Sequence, residues 1–198
     1  MFTGIVQAVG RIAGLKSAGV TAVLTIDAGG LDLADVAIGD SIACNGVCLT
    51  VTTLLSGGFT VDVSQETLRV TAGFAAGSAI NLEKSLRLAD RLGGHLVSGH
   101  VDAAGTVRTV KAVDGNREVT IACPHDVARY FARKGSVTVN GVSLTINALG
   151  GDSFSVNLIP HTLAVTNLGE LKKGDLVNLE VDLVARYVER MLNGEGAR

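Results

Sequence analysis

Short runs in which apolar and polar residues alternate, each closed by glycine, make up most of the chain. Residues 20–26 and 59–64 are rich in β-branched side chains, and residues 79–84 repeat the same alternation, so all three are predicted to be strands. Residues 1–13 carry the same pattern but are interrupted by Gly4 and Gly10. We therefore expect a strand with a bend or a bulge there.

Residues 41–53 are predicted to form one continuous strand. Its period of two puts Cys48, Thr50 and Thr52 on one face and the apolar residues Val47, Leu49 and Val51 on the other. Residues 65–70 interrupt the strand pattern and are predicted to form a short helix.

The chain contains an internal repeat of this pattern. Asn45-Gly-Val-Cys-Leu-Thr50 returns 95 positions later as Asn140-Gly-Val-Ser-Leu-Thr145. Residues 59–68 align with 154–163 at the same offset, and residues 77–83 align with 174–180 at an offset of 97. Such a period is too long for a solenoid repeat and suits a small domain. The chain is predicted to be one domain in two copies.

About six strands fit into each half, with a second strand at 118–122 and a short helix at 127–133 in the second copy. Closure into a Greek-key barrel would remove the exposed edges of so small a sheet. Near the end the period becomes helical, and residues 184–193 are predicted to form an amphipathic helix. The fold class is therefore all-β: two tandem six-stranded barrels (1–96 and 97–183) followed by a helix and tail (184–198).

Composition excludes several functions for these 198 residues. A net charge of −2 with a pI near 6.1 provides no electrostatic footprint for nucleic acid or an anionic membrane. No apolar run reaches the ~20 residues that span a bilayer. The amino terminus lacks a signal-peptide pattern, and three cysteines are not a disulfide framework, so we expect a cytoplasmic protein.

Three common kinds of site are also unsupported. The glycine pairs at 93–94 and 150–151 lack the dinucleotide-binding fingerprint, and no G-x-S-x-G motif is present. Cys44 and Cys48 would lie ~13 Å apart in a continuous strand, too far for one metal ion. No cofactor and no metal are expected.

The two halves differ where chemistry could occur. At aligned positions the first half has Ile5, Gly39, Cys48 and Ser85, and the second has His100, Lys134, Ser143 and Asp182. Two similar pockets, of which only one carries titratable groups, would suit a reaction between two identical molecules. Structural roles remain open: His100 as a packed histidine, Lys134 at a helix C-terminus and Asp182 as a helix N-cap.

Several motifs, in order and at matching spacing, resemble the riboflavin synthase family, the alpha-subunit proteins with a doubled lumazine-binding barrel. They are Met1-Phe-Thr-Gly-Ile-Val6, Asn45-Gly-x-Cys-Leu-Thr50, Glu66-Thr-Leu68, Gly93-Gly-His-x-x-x-Gly-His100, Asn140-Gly-x-Ser-Leu-Thr145 and Ile159-Pro-His-Thr162. The resemblance runs from Met1 to about Glu189.

The resemblance implies the last step of riboflavin biosynthesis, a transferase reaction. Two molecules of 6,7-dimethyl-8-ribityllumazine exchange a four-carbon unit, which yields riboflavin and 5-amino-6-(D-ribitylamino)uracil without a cofactor. It also implies a homotrimer whose active sites lie between the amino-terminal barrel of one subunit and the carboxy-terminal barrel of its neighbour. Association with lumazine synthase is left open.

The resemblance also assigns site residues, none of them to a metal. The residues that govern reactivity are Phe2, Ser41, Cys48, His100, Ser143 and Asp182. The first pocket would comprise Gly4, Ile5, Val6, Cys48, Leu49, Thr50, Asp62, Val63, Ser64, Gln65, Glu66 and Thr67. The second would comprise Gly99, His100, Val101, Lys134, Ser143, Leu144, Thr145, Ile159, Pro160, His161, Thr162, Leu163 and Ala164.

The chemistry requires a base and a nucleophile. A methyl proton on the pteridine ring is acidic because the resulting anion spreads over the ring, and His100 with Ser143 are the candidates to remove it. Water, a ribityl hydroxyl or Cys48 could attack the second molecule. Two rival functions are a non-catalytic lumazine or flavin carrier, like the light-emitting antenna relatives, and a flavin-reductase module. The first would lack His100, Ser143 and Asp182, and the second needs a nucleotide-binding domain for which the chain has no room.

Overall fold

The fold consists of two closed antiparallel barrels with the same topology, followed by a helix. The computed structural model describes residues 1–19 and 21–192, and it gives the backbone but not the side chain of Ala18. The first barrel contains β1 Ala8–Ala18, β2 Thr21–Asp27, β3 Ser41–Cys44, β4 Val47–Leu55, β5 Gly58–Ser64 and β6 Ala79–Lys84, with α1 Gln65–Val70 after β5.

The second barrel repeats this order. It contains β7 Ala103–Val113, β8 Asn116–Ala122, β9 Ser136–Val139, β10 Val142–Leu149, β11 Ser153–Leu158 and β12 Leu176–Val181. Its helices are α2 His125–Ala128 and α3 Pro160–Val165, with a 3-10 turn at Asn167–Glu170, and α4 Leu183–Leu192 follows β12. Neighbouring strands run in the order β1-β2-β5-β4-β3-β6 and β7-β8-β11-β10-β9-β12. The predicted fold class is confirmed.

Alternation of side chains builds each core. In β2 and β5 every second residue points inward, and Leu24, Val61 and Phe59 are completely buried among the apolar residues of the first barrel. The second barrel has its own core around Ile121, Phe154 and related residues. The strand predicted over residues 1–13 begins only at Ala8, and its bulge lies between Ile12 and Gly14 instead of at Gly4 or Gly10.

The prediction of one strand over residues 41–53 was wrong, because the chain reverses at Asn45–Gly46. Both residues have positive φ, 48° and 80°, as a two-residue type I′ hairpin requires. Asn-Gly is the strongest short hairpin signal, and it was overlooked inside the apolar run. The predicted faces are nevertheless correct: Val47, Leu49 and Val51 are buried, and Thr50 and Thr52 are exposed. Cys44 lies in the core, where burial raises the pKa of its thiol.

The equivalent hairpin at Asn140–Gly141 packs directly against the first, and a pseudo-twofold axis passes between them. A Cβ added to Gly46 would lie 2.7 Å from the backbone nitrogen of Gly141, and the reverse contact is also 2.7 Å. Buried asparagines surround this contact. The side chain of Asn81 donates to the carbonyl of Asn140 at 2.9 Å, and the side chain of Asn178 donates to the carbonyl of Asn45 at the same distance.

The predicted helices were partly displaced. The helix over 65–70 is confirmed as α1, whereas α2 occupies His125–Ala128 instead of residues 127–133. The terminal helix is confirmed as α4, but residues 193–198, like Val20 of the predicted second strand, lie outside the described part of the chain. The boundary near residue 96 stays a prediction, between strands that end at Lys84 and begin at Ala103. In the described ranges, every helix is too short or too polar to cross a membrane.

Candidate active site

Two short segments, residues 1–7 before β1 and 95–102 before β7, cross between the barrels; we call them the entry segments. A buried glutamate holds each one. The Glu180 carboxylate accepts from the N–H of Ser98 (2.7 Å), the hydroxyl of Ser98 (2.6 Å) and the N–H of Gly99 (3.0 Å). The Glu83 carboxylate accepts in the same way from the N–H and the hydroxyl of Thr3 and from the N–H of Gly4. Burial raises the pKa of Glu83, and these donors oppose the shift.

Each entry segment completes the site of the opposite barrel. The N–H of Ser143 in β10 donates to the carbonyl of Gly4 at 2.8 Å, and Val6 packs against the second core. The N–H of Cys48 in β4 donates to the carbonyl of Gly99 at 2.8 Å, and Val101 packs against the first core. These contacts place residues 4–6 beside Ser143 and residues 99–101 beside Cys48, which is the reverse of the predicted grouping.

We call the outer face of β3 and β4 the first groove and the equivalent face of β9 and β10 the second groove. Ala43 pairs with Cys48, and Ser41 pairs with Thr50. Phe2, which is completely buried, packs with Ala43 and Val97, and Cys48 packs against this cluster. The surroundings of the Cys48 thiol are thus largely apolar. A cavity of about 320 Å³ lies beside Ser41 and is also lined by Ser85.

Residues 62–67 span the end of β5, which is the neighbour of β4, and the start of α1. Val61 of β5 pairs with Val51 of β4, and both point inward. Their neighbours Asp62 and Thr50 are exposed on the outer side of the barrel. Ser64 caps α1 by accepting from the N–H of Thr67 at 3.1 Å, which explains why a helix begins at Gln65. Val63 and Leu49 were expected to contact substrate, but both side chains point into the first core.

The second groove has the same frame and different chemistry. Thr138 in β9 pairs with Ser143 at the positions that Ala43 and Cys48 occupy in the first barrel. His95, from the entry segment, lies over this pair. Its Nδ1 is 2.7 Å from the Ser143 hydroxyl, and its Nε2 is 3.2 Å from the Thr138 hydroxyl. Ser143 therefore belongs to a hydrogen-bonded trio that has no counterpart at Cys48.

The buried position of His95 favours its neutral form. Burial lowers the pKa of its imidazole, and the carboxylates of Asp182 and Glu180 oppose the shift. With its proton on Nε2, His95 would donate to Thr138 and accept the Ser143 hydroxyl at Nδ1. That tautomer makes Ser143 a better proton acceptor and nucleophile.

The remaining candidates are dispersed around the two grooves. His100 follows Gly99, whose carbonyl accepts the N–H of Cys48, so His100 lies beside the first groove. The sequence predicted that His100 and Ser143 act together as the base, but Ser143 lies in the second groove. Asp182 caps α4, because its carboxylate accepts from the N–H of Val184 at 3.0 Å. Lys134 is exposed and adopts a left-handed conformation (φ 68°) where the first half has Gly39.

The last predicted residues belong to the second groove. Ile159 and His161 are exposed and Thr162 and Leu163 are half-buried where β11 leads into α3; Pro160 and Ala164 belong to the same turn and helix. Thr145 is exposed on β10 beside Ser143, and Leu144 packs partly against the second core. Across residues 1–19 and 21–192, no three His, Cys, Asp or Glu side chains converge in a way that could hold a metal ion.

Sequence reasoning missed His95. Its signal was available, because it belongs to the Gly93-Gly-His motif that carries part of the family resemblance. What the sequence did not reveal is the partner, since Ser143 lies 48 residues away.

Two segments of the chain match a known domain family. The family described as the lumazine binding domain matches this chain twice, over residues 3–85 and 98–182. The two matches together cover both barrels and leave out α4.

Relatives of similar length include riboflavin synthases from several bacteria. The riboflavin synthase of Mycobacterium tuberculosis (strain ATCC 25618 / H37Rv) is 48% identical over 202 residues, which covers 99% of this chain and all of that protein. That of Photobacterium phosphoreum is 46% identical over 194 residues, covering 97% of this chain and 89% of that protein. Among solved structures, LumP complexed with riboflavin superposes with a TM-score of 0.84 at 27% identity, over 91% of this chain and 99% of that one. LumP complexed with 6,7-dimethyl-8-(1'-D-ribityl) lumazine has a TM-score of 0.82 over the same shares.

Proposed function

The chain belongs to the riboflavin synthase family, and on that premise we propose how its two grooves divide the reaction. Each groove holds one 6,7-dimethyl-8-ribityllumazine. A four-carbon unit passes between the two molecules and yields riboflavin and 5-amino-6-(D-ribitylamino)uracil. The two products together contain the atoms of the two substrates, so the reaction needs no external oxidant or reductant.

The observation that carries this proposal is that two grooves with the same backbone structure are lined by different functional side chains. Ser143 contacts the imidazole of His95, whereas the equivalent Cys48 packs beside Phe2 and Ala43. Two identical molecules, one bound in each groove, would therefore contact different functional groups. That difference is what a dismutation requires, because one molecule must give the four-carbon unit and the other must receive it.

On the donor side we assign the base to His95 and Ser143. The Ser143 oxygen takes a proton from the substrate methyl group while its own hydroxyl proton passes to Nδ1 of His95. The carbanion is stabilised by delocalisation over the pteridine ring. Thr138 holds the imidazole in the required tautomer through the contact at Nε2. General base catalysis of this kind is worth roughly 10²–10⁴-fold in rate.

On the acceptor side we assign Cys48, Thr50 and His100 to the first groove. His100 follows Gly99, whose carbonyl accepts the N–H of Cys48. From that position it could exchange a proton with the group that attacks the acceptor: water, a ribityl hydroxyl or Cys48 itself. Alignment of the two substrates supplies much of the acceleration, up to about 7–11 kcal/mol.

Turnover with one substrate alone tests the function. Purified protein incubated with 6,7-dimethyl-8-ribityllumazine in the presence of a chelator is expected to form one riboflavin for every two substrate molecules consumed. Absorbance and chromatography of both products give the ratio. Tight binding without any riboflavin would favour the carrier function and reject this one.

Replacing His95 with asparagine is expected to lower kcat by roughly 100-fold or more, because the amide preserves a hydrogen bond to Ser143 but cannot accept the proton. Since burial lowers the pKa of His95, the acid limb of kcat/KM in the unaltered enzyme should lie below the ordinary histidine range near pH 6.5. Protonation of His95 removes the base, so the rate falls as pH falls, and this limb should be absent from the residual rate of His95→Asn.

The matched control is His125→Asn, whose exposed imidazole bonds Asp152 at 2.7 Å on the surface of the second barrel. It should retain full activity. A loss of less than threefold in His95→Asn would remove His95 from the mechanism.

We further propose that the enzyme is a homotrimer with active sites shared between subunits. The support is α4, on which Val184, Tyr187 and Met191 follow helical spacing and remain 62%, 65% and 81% exposed in the single chain. Such a stripe needs a partner. The resemblance makes that partner a second copy of the chain. Association with lumazine synthase stays a prediction.

Mixed trimers of two inactive variants are expected to recover activity. Cys48→Ala impairs the first groove and Ser143→Ala the second. After the two variants are refolded together, about one quarter of the shared sites would pair two intact grooves. Asp182→Ala is unsuitable because Asp182 also caps α4. If native mass spectrometry with one variant isotopically labelled shows mixed trimers and the activity equals that of the separate variants, the shared site is wrong.

A cytoplasmic location is part of the same proposal. All three cysteines, Cys44, Cys48 and Cys123, are free thiols in the structure, as is usual in a reducing compartment. Recovery of the protein from another fraction of gently lysed cells would contradict it.

A further inference from the structure

One difference between the halves lies in the entry segments and was not among those seen in sequence. Gln7 and Asp102 occupy equivalent places. The side-chain oxygen of Gln7 accepts from the N–H of Lys84 at 2.9 Å, and Asp102 accepts from the N–H of Val181 at 2.8 Å. A neutral acceptor satisfies this N–H in the first barrel, so the bond itself does not need the negative charge of Asp102.

The charge has its own partner on α4. The second carboxylate oxygen of Asp102 lies 2.6 Å from a guanidinium nitrogen of Arg186. The same nitrogen lies 3.4 Å from the carbonyl oxygen of His100. Arg186 thus contacts the entry segment on both sides of Val101, which packs into the first core.

The energetics of this pair differ from those of a surface ion pair. The side chain of Asp102 is only 13% exposed, and that of Arg186 is 39% exposed. Burial raises the pKa of Asp102, and the Val181 N–H and Arg186 offset it, while Glu180 adds to it. Because desolvation of the Asp102 carboxylate offsets its attraction to Arg186, we expect the pair to add little net stability and to act mainly on geometry. Its effect is then expected in the position of the residues it joins.

We infer that Asp102 and Arg186 are positioning residues that set His100 in the first groove through the contact of Arg186 with the entry segment. Neither touches the reacting atoms. The inference rests on the proposed function for the role of His100. It adds that the helix assigned to assembly also orients a residue of the active site.

The chain offers a matched control on the same helix. Glu189, three residues after Arg186, also ties α4 to the second barrel, through an ion pair with Arg129 at 2.6 Å and a hydrogen bond from the Tyr130 hydroxyl. Those contacts lie away from the entry segment. Glu189→Gln therefore weakens the attachment of α4 without changing the environment of His100.

The experiment compares Arg186→Met, Asp102→Gln, the double variant and Glu189→Gln. Asp102→Gln copies the residue of the first half and keeps the acceptor for Val181. Arg186→Met and Asp102→Gln should each lower kcat about tenfold with KM within twofold, because small displacements of a catalytic group are costly. The double variant should be no worse than the poorer single variant, since both remove one interaction. Arg186→Lys should recover part of the rate.

A second readout does not depend on turnover. With four histidines in the chain, the imidazole resonances can be assigned by substitution. Those of His100 should move in Arg186→Met and Asp102→Gln and stay in place in Glu189→Gln.

Equal loss of kcat in Glu189→Gln, additive losses in the double variant or unmoved His100 resonances would each overturn the inference. Absence of riboflavin formation by the unaltered protein would reject the proposed function instead. The His100 resonances would still decide the positioning role in that case.

Discussion

Gly141→Ala is expected to remove much of the stability of the protein. Gly141 has φ +80°, and its added Cβ would lie 2.7 Å from the nitrogen of Gly46 and 3.1 Å from its Cα. The left-handed conformation costs an alanine about 1–2 kcal/mol. Forcing two packed backbones apart adds about 1–3 kcal/mol or more. The sum is a large part of the 5–15 kcal/mol typical of a domain.

The chain provides a control in the same conformation. Asp114–Gly115 forms the hairpin between β7 and β8 with φ of 47° and 80°, almost identical to Asn140–Gly141. A Cβ on Gly115 meets no atom within 4 Å. Gly115→Ala should therefore lose only the conformational part, about 1–2 kcal/mol. Urea unfolding of both variants measures the difference in the free energy of unfolding. Equal destabilisation would contradict the close packing of the hairpins at Gly46 and Gly141.

Glu180→Gln is expected to impair both stability and catalysis. Glu180 is 2% exposed and accepts three hydrogen bonds from Ser98 and Gly99. A glutamine must turn its NH₂ toward one of these donors, which leaves buried groups unpaired at a cost of about 2–4 kcal/mol. Because Gly99 also accepts the N–H of Cys48, the first groove is disturbed, and kcat/KM should fall roughly 100-fold.

The same experiment needs an exposed carboxylate for comparison. Asp152 pairs with His125 on the surface of the second barrel, where the two side chains are 48% and 93% exposed. Asp152→Asn should leave stability and kcat/KM almost unchanged, because exposed ion pairs contribute little. Chemical denaturation and steady-state kinetics of the two variants give the comparison. A Glu180→Gln enzyme within twofold of normal kcat/KM would show that the entry segment does not depend on this carboxylate.

Much of the fold could be predicted because it depends on local patterns. Alternation identified most strands, and β6 was found with its exact limits, since an apolar run with period two has one buried face. The repeat predicted two barrels, and the change to helical spacing predicted α4. The missed hairpin at Asn45–Gly46 was a local signal too, hidden within a run that remained apolar on both sides.

The candidate site was predicted less completely. Cys48, Ser143 and Thr50 were singled out by the repeat and its differences. His95 was not, because its importance comes from the hydroxyls of Thr138 and Ser143, which lie on another part of the chain. Asp102 was missed for the same reason, since only its contact with Arg186 distinguishes it from Gln7.

The sequence by itself determined the two barrels, their family and the residues that differ between them. Only the tertiary structure decided which entry segment completes which groove. The physical reason is that Gly4 reaches Ser143, and Gly99 reaches Cys48, through backbone bonds that form when the barrels pack about their pseudo-twofold axis. Backbone groups carry no side-chain identity, so no pattern of residues along the chain records that exchange.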